Sequence, residues 1–291
     1  MSANLDQHTS PAVTDKTEGT LLIAAPNGAR RGKADHPNLP ITADEIAAEA
    51  IRCRDAGAAV LHLHVRDEAG RHTLDVGRYR QAIEAVERAV GDDLVIQPTT
   101  EAVEQYSAGE QIDVVRALKP EAVSIALREI LPEGVGEAAA ADFFAWMAET
   151  RVWAQIILYD TADIARFAVL HRAGFFGVAR PSVLLVLGRY TVGQLSSPED
   201  LDPMLGALAP VRDEVNWTVC AFGAREQDCI AHAIGLGGGG RVGFENNLSL
   251  PNGDRAAHTA DLVALAAETA RTLGRPPLGA ADVRTLVRDW F

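Results

Sequence analysis

Eight short, continuous apolar runs recur along the 291 residues, each separated from the next by a longer segment of helical period. They fall at 21–25, 60–64, 94–97, 122–126, 154–158, 183–187, 217–221 and 242–245. A strand with one wet face alternates apolar and polar residues, so an unbroken run implies cover on both faces, as in a parallel sheet flanked by helices. Helices are predicted between the runs. The first follows Thr42-Ala-Asp-Glu45, which has the form of a capping box; Ile46, Ala50 and Ile51 make its apolar stripe, and Gly57 stands where it would stop. Others are predicted at 76–90, 110–118, 137–151, 162–172, 198–209, 226–234 and 257–273. An open doubly wound sheet gives the same alternation, but eight repeats in this length favour a closed (β/α)8 TIM barrel of class α/β. With 47% hydrophobic residues the chain can fill such a core as a single domain over 19–291. Residues 1–18 read as a disordered polar tail, and 280–290 as an additional C-terminal helix packed on the outside or on a partner subunit.

A formal net charge of −13 argues against nucleic-acid or anionic-membrane partners and for a small-molecule substrate. No apolar run approaches the roughly 18 residues that span a bilayer, and the first residues lack the apolar stretch of a signal peptide. Cys53, Cys220 and Cys229 are odd in number, without CxxC spacing, and read as small buried hydrophobes in a reducing compartment. A cytoplasmic protein is expected.

In a barrel the chemistry sits at the carboxyl ends of the strands. There, in Leu61-His-Leu-His-Val-Arg-Asp67, two histidines stand two apart, so their side chains leave one face of the pleat. Two readings are open: the rings hydrogen-bond inside the barrel, or they share an ion. Neighbouring imidazoles in an apolar lumen need partners for both nitrogens, and a metal supplies one. Catalytic zinc takes three protein ligands and keeps a position open. Glu245, ending the last strand, is the best third candidate, because closure of the barrel brings that strand within one neighbour of the second.

The ordered set Ala25-Pro-Asn-Gly-Ala29, Asp35-His-Pro-Asn-Leu-Pro40, Ala56-Gly-Ala-Ala59, His62-Leu-His64-Val-Arg66-Asp67 and Gly70 resembles the β-keto acid cleavage enzyme family. Arg241-Val-Gly-Phe-Glu245-Asn-Asn247 resembles that family's last-strand motif, and Leu118-Lys-Pro-Glu121 and Gly274-Arg-Pro276 match weaker markers. The resemblance spans nearly the whole chain. It implies a zinc-dependent barrel, usually a homotetramer, that condenses a β-keto acid with acetyl-CoA as cosubstrate and cleaves the adduct to acetoacetate and a new acyl-CoA. Carried over by position, His62, His64 and Glu245 match the metal ligands. Arg241 matches an arginine implicated in proton transfer, whose minimum role is to clamp a carboxylate. Thr99 and Ser124 fall where the family carries a serine and a threonine, which makes them expected substrate contacts.

Three departures stand out. Asn246 replaces the aspartate that pairs with the arginine, Arg30 replaces a glutamate used for an amino-bearing substrate, and Ile157 occupies a position where a carboxylate can occur. Each removes negative charge. Arg30 and Asn246 are expected substrate contacts, and because Arg30 and Arg241 would attract carboxylates, the site is expected to prefer neutral or anionic tails over cationic ones. Two alternatives remain: a metal-dependent aldolase or decarboxylase without CoA, and a catalytically impaired protein that binds metal and keto acids.

Weaker features are weighed alongside. Gly235-Leu-Gly-Gly-Gly-Gly240 precedes a strand instead of linking strand to helix, so it reads as a turn and not a dinucleotide site. Arg225, in the loop after the seventh run, is expected to hold a CoA phosphate, an ordinary loop being the alternative. His36 is left outside the site as a loop residue, and His8, His72, His171, His232 and His258 read as isolated surface or helix-packing side chains.

Overall fold

A computed structural model describes residues 19–132 and 136–291; the tail expected at 1–18, with His8, lies outside the described residues. In chain order the elements are β1 (Leu22–Ala24), α1 (Ala43–Ala56), β2 (Val60–Leu63), β3 (Val65–Arg66), β4 (His72–Thr73), α2 (Val76–Val90), β5 (Val95–Pro98), α3 (Ala108–Leu118), β6 (Ala122–Ala126) and α4 (Leu127–Ile130). They continue with α5 (Glu137–Thr150), β7 (Trp153–Leu158), α6 (Thr161–Arg172), β8 (Ser182–Leu187), α7 (Leu201–Leu208), β9 (Asn216–Ala221), α8 (Glu226–Gly235), β10 (Gly239–Val242), α9 (Thr259–Thr272) and α10 (Ala280–Trp290). Eight parallel strands run in the order β5-β2-β1-β10-β9-β8-β7-β6. The ends of that sheet meet at one parallel bridge, Thr99 to Ser124, with Thr100 N donating to Ser124 O at 3.2 Å. The result is a nearly closed (β/α)8 barrel, as expected. Among the described residues no helix is long and apolar enough to cross a membrane.

The local signals act where the sequence puts them. The Thr42 side chain accepts from Glu45 N, the Glu45 carboxylate accepts from Thr42 N, and Gly57 ends α1 at φ 109°. That helix buries Ile46, Ala47, Ala50 and Cys53 against the sheet, and α2 has the bounds expected for it. All three cysteines are free and buried.

Two expectations need correction. The last strand covers Gly239–Val242, not 242–245, so the last two residues of the glycine run taken for a turn are strand. Close packing explains it: a Cβ on Gly239 would lie 2.6 Å from Leu21 O, and one on Gly240 2.7 Å from an Ile230 methyl. Gly243, at φ 143°, then turns the chain out of the strand, so Glu245 rides on a turn whose amide donates to Ala25 O at 3.1 Å. The segment 198–209 opens as a 3-10 turn over Pro198–Asp200 before α7 begins. The β3–β4 hairpin and α4 had no sequence signal.

The amino-terminal end of the lumen is closed by α10. Its Ala280, Val283 and Trp290 pack with Ile23, Val60, Val95, Ala122 and Trp153, and the two tryptophan rings meet edge-on at 5.6 Å. Burying an aliphatic side chain such as Val283 contributes about 1.5–3 kcal/mol. With α10 packed across that end, the cavity that holds His62 and His64 lies at the carboxyl ends of the strands.

Candidate metal centre and active site

His62 lies on β2 and His64 directly after it, both buried and on one face of the strand. Their Nε2 atoms are 3.1 Å apart. Glu245 Oε2 stands 3.5 Å from His62 Nε2 and 3.4 Å from His64 Nε2. Only β1 separates β2 from β10, which is why a residue 181 positions downstream of His64 reaches it. The loop after β1 lies directly on this carboxylate: a Cβ on Gly28, at φ +61°, would be 2.6 Å from Glu245 Cγ, so only glycine fits there. Arg66 ties the loop down by donating from its buried guanidinium to Gly28 O, to Arg31 O at 2.9 Å and to Gly70 O at 3.0 Å. Asn27 Nδ2 donates to His64 O at 3.1 Å.

The donor set fits a divalent cation. His62 Nδ1 bonds Gln97 Oε1 at 3.0 Å; an amide oxygen only accepts, so Nδ1 carries the hydrogen and Nε2 presents a lone pair. Burial, followed by the Arg241 charge, holds the His62 pKa well below its ordinary value, so the ring is neutral, as a ligand must be. For Glu245, burial pushes the pKa up, but the opposing effects, led by the Arg241 charge, outweigh it and keep the carboxyl well below the usual range. Its Oε2 makes no hydrogen bond. A buried anionic oxygen without a donor, facing two imidazole nitrogens within 4.8 Å, is a set that zinc would satisfy with one position open.

The cavity above these residues is lined also by Arg30, Arg31, Thr99, Glu101, Ile157, Tyr159, Arg189, Phe222 and Arg241. Arg241, on β10, donates from Nη2 to Glu245 Oε1 at 3.0 Å and to Cys220 Sγ at 3.4 Å. Burial works against its charge, but Cys220 and Glu245 raise its pKa above the ordinary arginine value, so it is a fixed cation. Of the expected substrate contacts, Arg30 lies exposed at the mouth and Thr99 on the wall. Ser124 and Asn246 are fully buried, have unpartnered side-chain polar atoms and lie off the wall. Arg225 also lies off it, bonded to Asp228 at 3.0 Å and within 3.9 Å of Glu199.

Sequence reasoning missed Glu101, Arg189 and Gln97 as site residues. Glu101 Oε1 accepts from Arg189 Nη2 at 3.3 Å, and its Oε2 lies 3.9 Å from His64 Nδ1. Both arise from loops after strands, the position that barrel geometry singles out. His72, expected to be isolated, is buried beside His64 with ring centroids 5.2 Å apart, and its Nε2 bonds Glu101 O at 2.9 Å. Its burial lowers its pKa to about 3. The hairpin that carries it gave no periodic signal. His171, His232 and His258 pair with Glu214, Asp202 and Glu49 away from the cavity, while His36 packs on Phe244.

A family model described as beta-keto acid cleavage enzyme matches residues 20–288. The chain belongs to that family. The 3-keto-5-aminohexanoate cleavage enzyme of Acetoanaerobium sticklandii is 30% identical over 277 residues, covering 93% of this chain and 98% of the relative. The 3-oxoadipate:acetyl-CoA acetyltransferase of Cupriavidus necator is 25% identical over 276 residues, covering 93% and 95%. Among solved structures, ObcA bound to oxaloacetate superposes with a TM-score of 0.68 at 20% identity, over 88% of this chain and 68% of that one, which supports the fold. This member of the β-keto acid cleavage enzyme family combines a His-His-Glu group that could hold a metal ion with four guanidinium groups on the cavity wall, from Arg30, Arg31, Arg189 and Arg241.

Proposed function

We propose that this chain is a zinc-dependent β-keto acid cleavage enzyme that condenses its substrate with acetyl-CoA and releases acetoacetate and a new acyl-CoA. The convergence of His62, His64 and Glu245 at the open end of a barrel of this family carries the reading. Bound zinc would supply a Lewis acid for the substrate's keto and carboxylate oxygens and stabilise enolate charge. Arg241 adds a fixed positive charge beside them. It cannot serve as the base, because Glu245 and Cys220 keep it protonated and Asn246 offers no charge to activate it.

The proton on the carbon between the keto and carboxylate groups therefore goes to Glu101, the carboxylate on the cavity wall that is not a metal ligand. The carbanion attacks the acetyl-CoA carbonyl and expels the CoA thiolate; the thiolate adds to the keto carbon; the bond between the keto carbon and its neighbour then breaks. Glu101 returns the proton to the acetoacetate carbanion, so the enzyme ends unchanged. Arg189, held over the Phe222 ring at 5.3 Å, and Arg30 at the mouth favour an anionic or neutral tail over a cationic one. Within this reading residues 19–291 act as one barrel domain in a cytoplasmic homotetramer, to which the three free, buried cysteines are suited. The test is elemental analysis of the purified protein coupled to a thioester-exchange assay over β-keto acids of differing tail charge. About one zinc per chain is expected, with acetoacetate formed only in the presence of acetyl-CoA and more than about 100-fold less of it in Glu245→Ala, a larger loss than outer-shell changes give. Turnover without CoA would point to an aldolase or decarboxylase, and binding without turnover to an impaired enzyme.

A further inference from the structure

Four buried polar side chains cross the lumen in a single file from the metal ligand to the far wall. Thr218 on β9 donates from Oγ1 to Val183 O at 3.3 Å. Gln155 on β7 donates from Nε2 to Thr218 Oγ1 at 3.0 Å, and Gln97 on β5 donates from Nε2 to Gln155 Oε1 at 3.3 Å. Gln97 Oε1 then accepts from His62 Nδ1 at 3.0 Å. All four side chains are 2% exposed or less, so water does not substitute for any link.

The direction of this file is set at its far end. Each amide can turn over and exchange its oxygen for its nitrogen, and an imidazole can move its hydrogen from one nitrogen to the other. A backbone carbonyl can only accept. If the Thr218 hydroxyl hydrogen points to Val183 O, the hydroxyl oxygen must accept from Gln155, Gln155 must accept from Gln97, and Gln97 must accept from His62. The reversed file sacrifices the bond to Val183 and aims an N–H at His62 Nδ1, which forces the hydrogen onto Nε2, where the metal would bind.

Resting on the metal reading above, we propose that Thr218, through Gln155 and Gln97, is a positioning residue that locks His62 in the tautomer with Nδ1 protonated and so holds Nε2 ready for the ion. Outer-shell partners of this kind typically change metal affinity by about 10- to 100-fold. Thr218→Val keeps the side-chain shape and removes the hydroxyl; Gln155→Met cuts the file one link nearer. Long-range nitrogen–proton spectra of the imidazoles in the metal-free protein report the tautomer directly, and chelator competition reports zinc affinity.

In the wild type His62 is expected as a single Nδ1–H species. In Thr218→Val and in Gln155→Met the Nε2–H species should appear and zinc binding should weaken about 10-fold, with no added loss in the double variant, since both break one file. Thr218→Ser should restore both readouts. An unchanged His62 tautomer in either single variant overturns the proposal, as do additive losses or failure of serine to rescue. The metal-free spectra do not depend on turnover, so a wild-type protein that takes up zinc but lacks thioester exchange would defeat the proposed reaction and leave this inference standing.

Discussion

The two halves of the barrel lumen differ sharply in chemistry. The half built by β10, β1, β2 and β5 carries His62, His64, Gln97, Arg241 and Glu245, whereas the carboxyl end of the other is an apolar cluster of Ala126, Ile157, Leu184, Val186, Cys220 and Phe222, set above the buried Gln155 and Thr218. Charges facing a dry wall interact more strongly than charges facing water, because the effective dielectric is lower. The apolar half thus strengthens the fields made by the polar half, and the polar half is stable only while its groups satisfy one another. Arg241 shows the balance: the Glu245 carboxylate faces it on one side, and the apolar cluster, through Cys220, on the other.

The largest effect should come from changing Glu101 at the rim of the polar half. Glu101→Gln keeps the shape and an acceptor for Arg189 but removes the proposed proton acceptor. We expect kcat to fall about 10²- to 10⁴-fold, with zinc content unchanged and loss of the exchange of the substrate's acidic hydrogen with deuterated solvent. A variant that retains that exchange at the wild-type rate would remove Glu101 from the chemistry and assign it to the support of His64.

A smaller effect tests the apolar half. Ile157 lines the cavity on β7 and is 7% exposed, so Ile157→Glu puts a carboxylate into the wall of the cavity that the arginines line. For β-keto acids with an anionic tail kcat/KM should fall by about 10- to 100-fold through like-charge repulsion, while amino-bearing substrates should lose little or improve. An equal loss across the panel would mean that the wall acts through packing and not through charge.

The legible and illegible parts of the molecule divide along physical lines. Continuous apolar runs and caps are local, so the strands, the Thr42–Glu45 box and the bounds of α2 could be read from the chain. The metal trio was legible because two of its members sit two residues apart on a strand and the third follows from barrel closure. Glu101 and Arg189 meet across loops 88 residues apart, a pairing that no periodicity encodes. Likewise nothing local to Gln97, Gln155 or Thr218 says that their side chains line up across the lumen. The misplaced last strand has a different cause: a glycine run has a turn's composition, and only the neighbours Leu21, Thr218 and Ile230 require glycine within a strand there.

The smallest effect on turnover, read instead in stability, should appear beneath the polar half, where Glu226 of α8 holds the turn that presents Glu245. Its Oε1 accepts from Gly243 N at 3.1 Å and its Oε2 from Asn247 Nδ2 at 3.4 Å. Burial pushes its pKa from 4.5 to about 8, outweighing those two bonds and the charge of Arg31. Between these values the unfolded chain releases a proton that the folded chain keeps. The unfolded state then binds fewer protons, and stability falls as pH rises. This contribution is fully present below about pH 4.5 and is gone above about 8. Glu226→Gln retains an acceptor for Gly243 without the linkage, so denaturant unfolding between pH 5 and 8 should show a shallower decline than the wild type. Parallel curves would mean that Glu226 is ionised in the folded protein and that Arg31, not a proton, neutralises it under the turn.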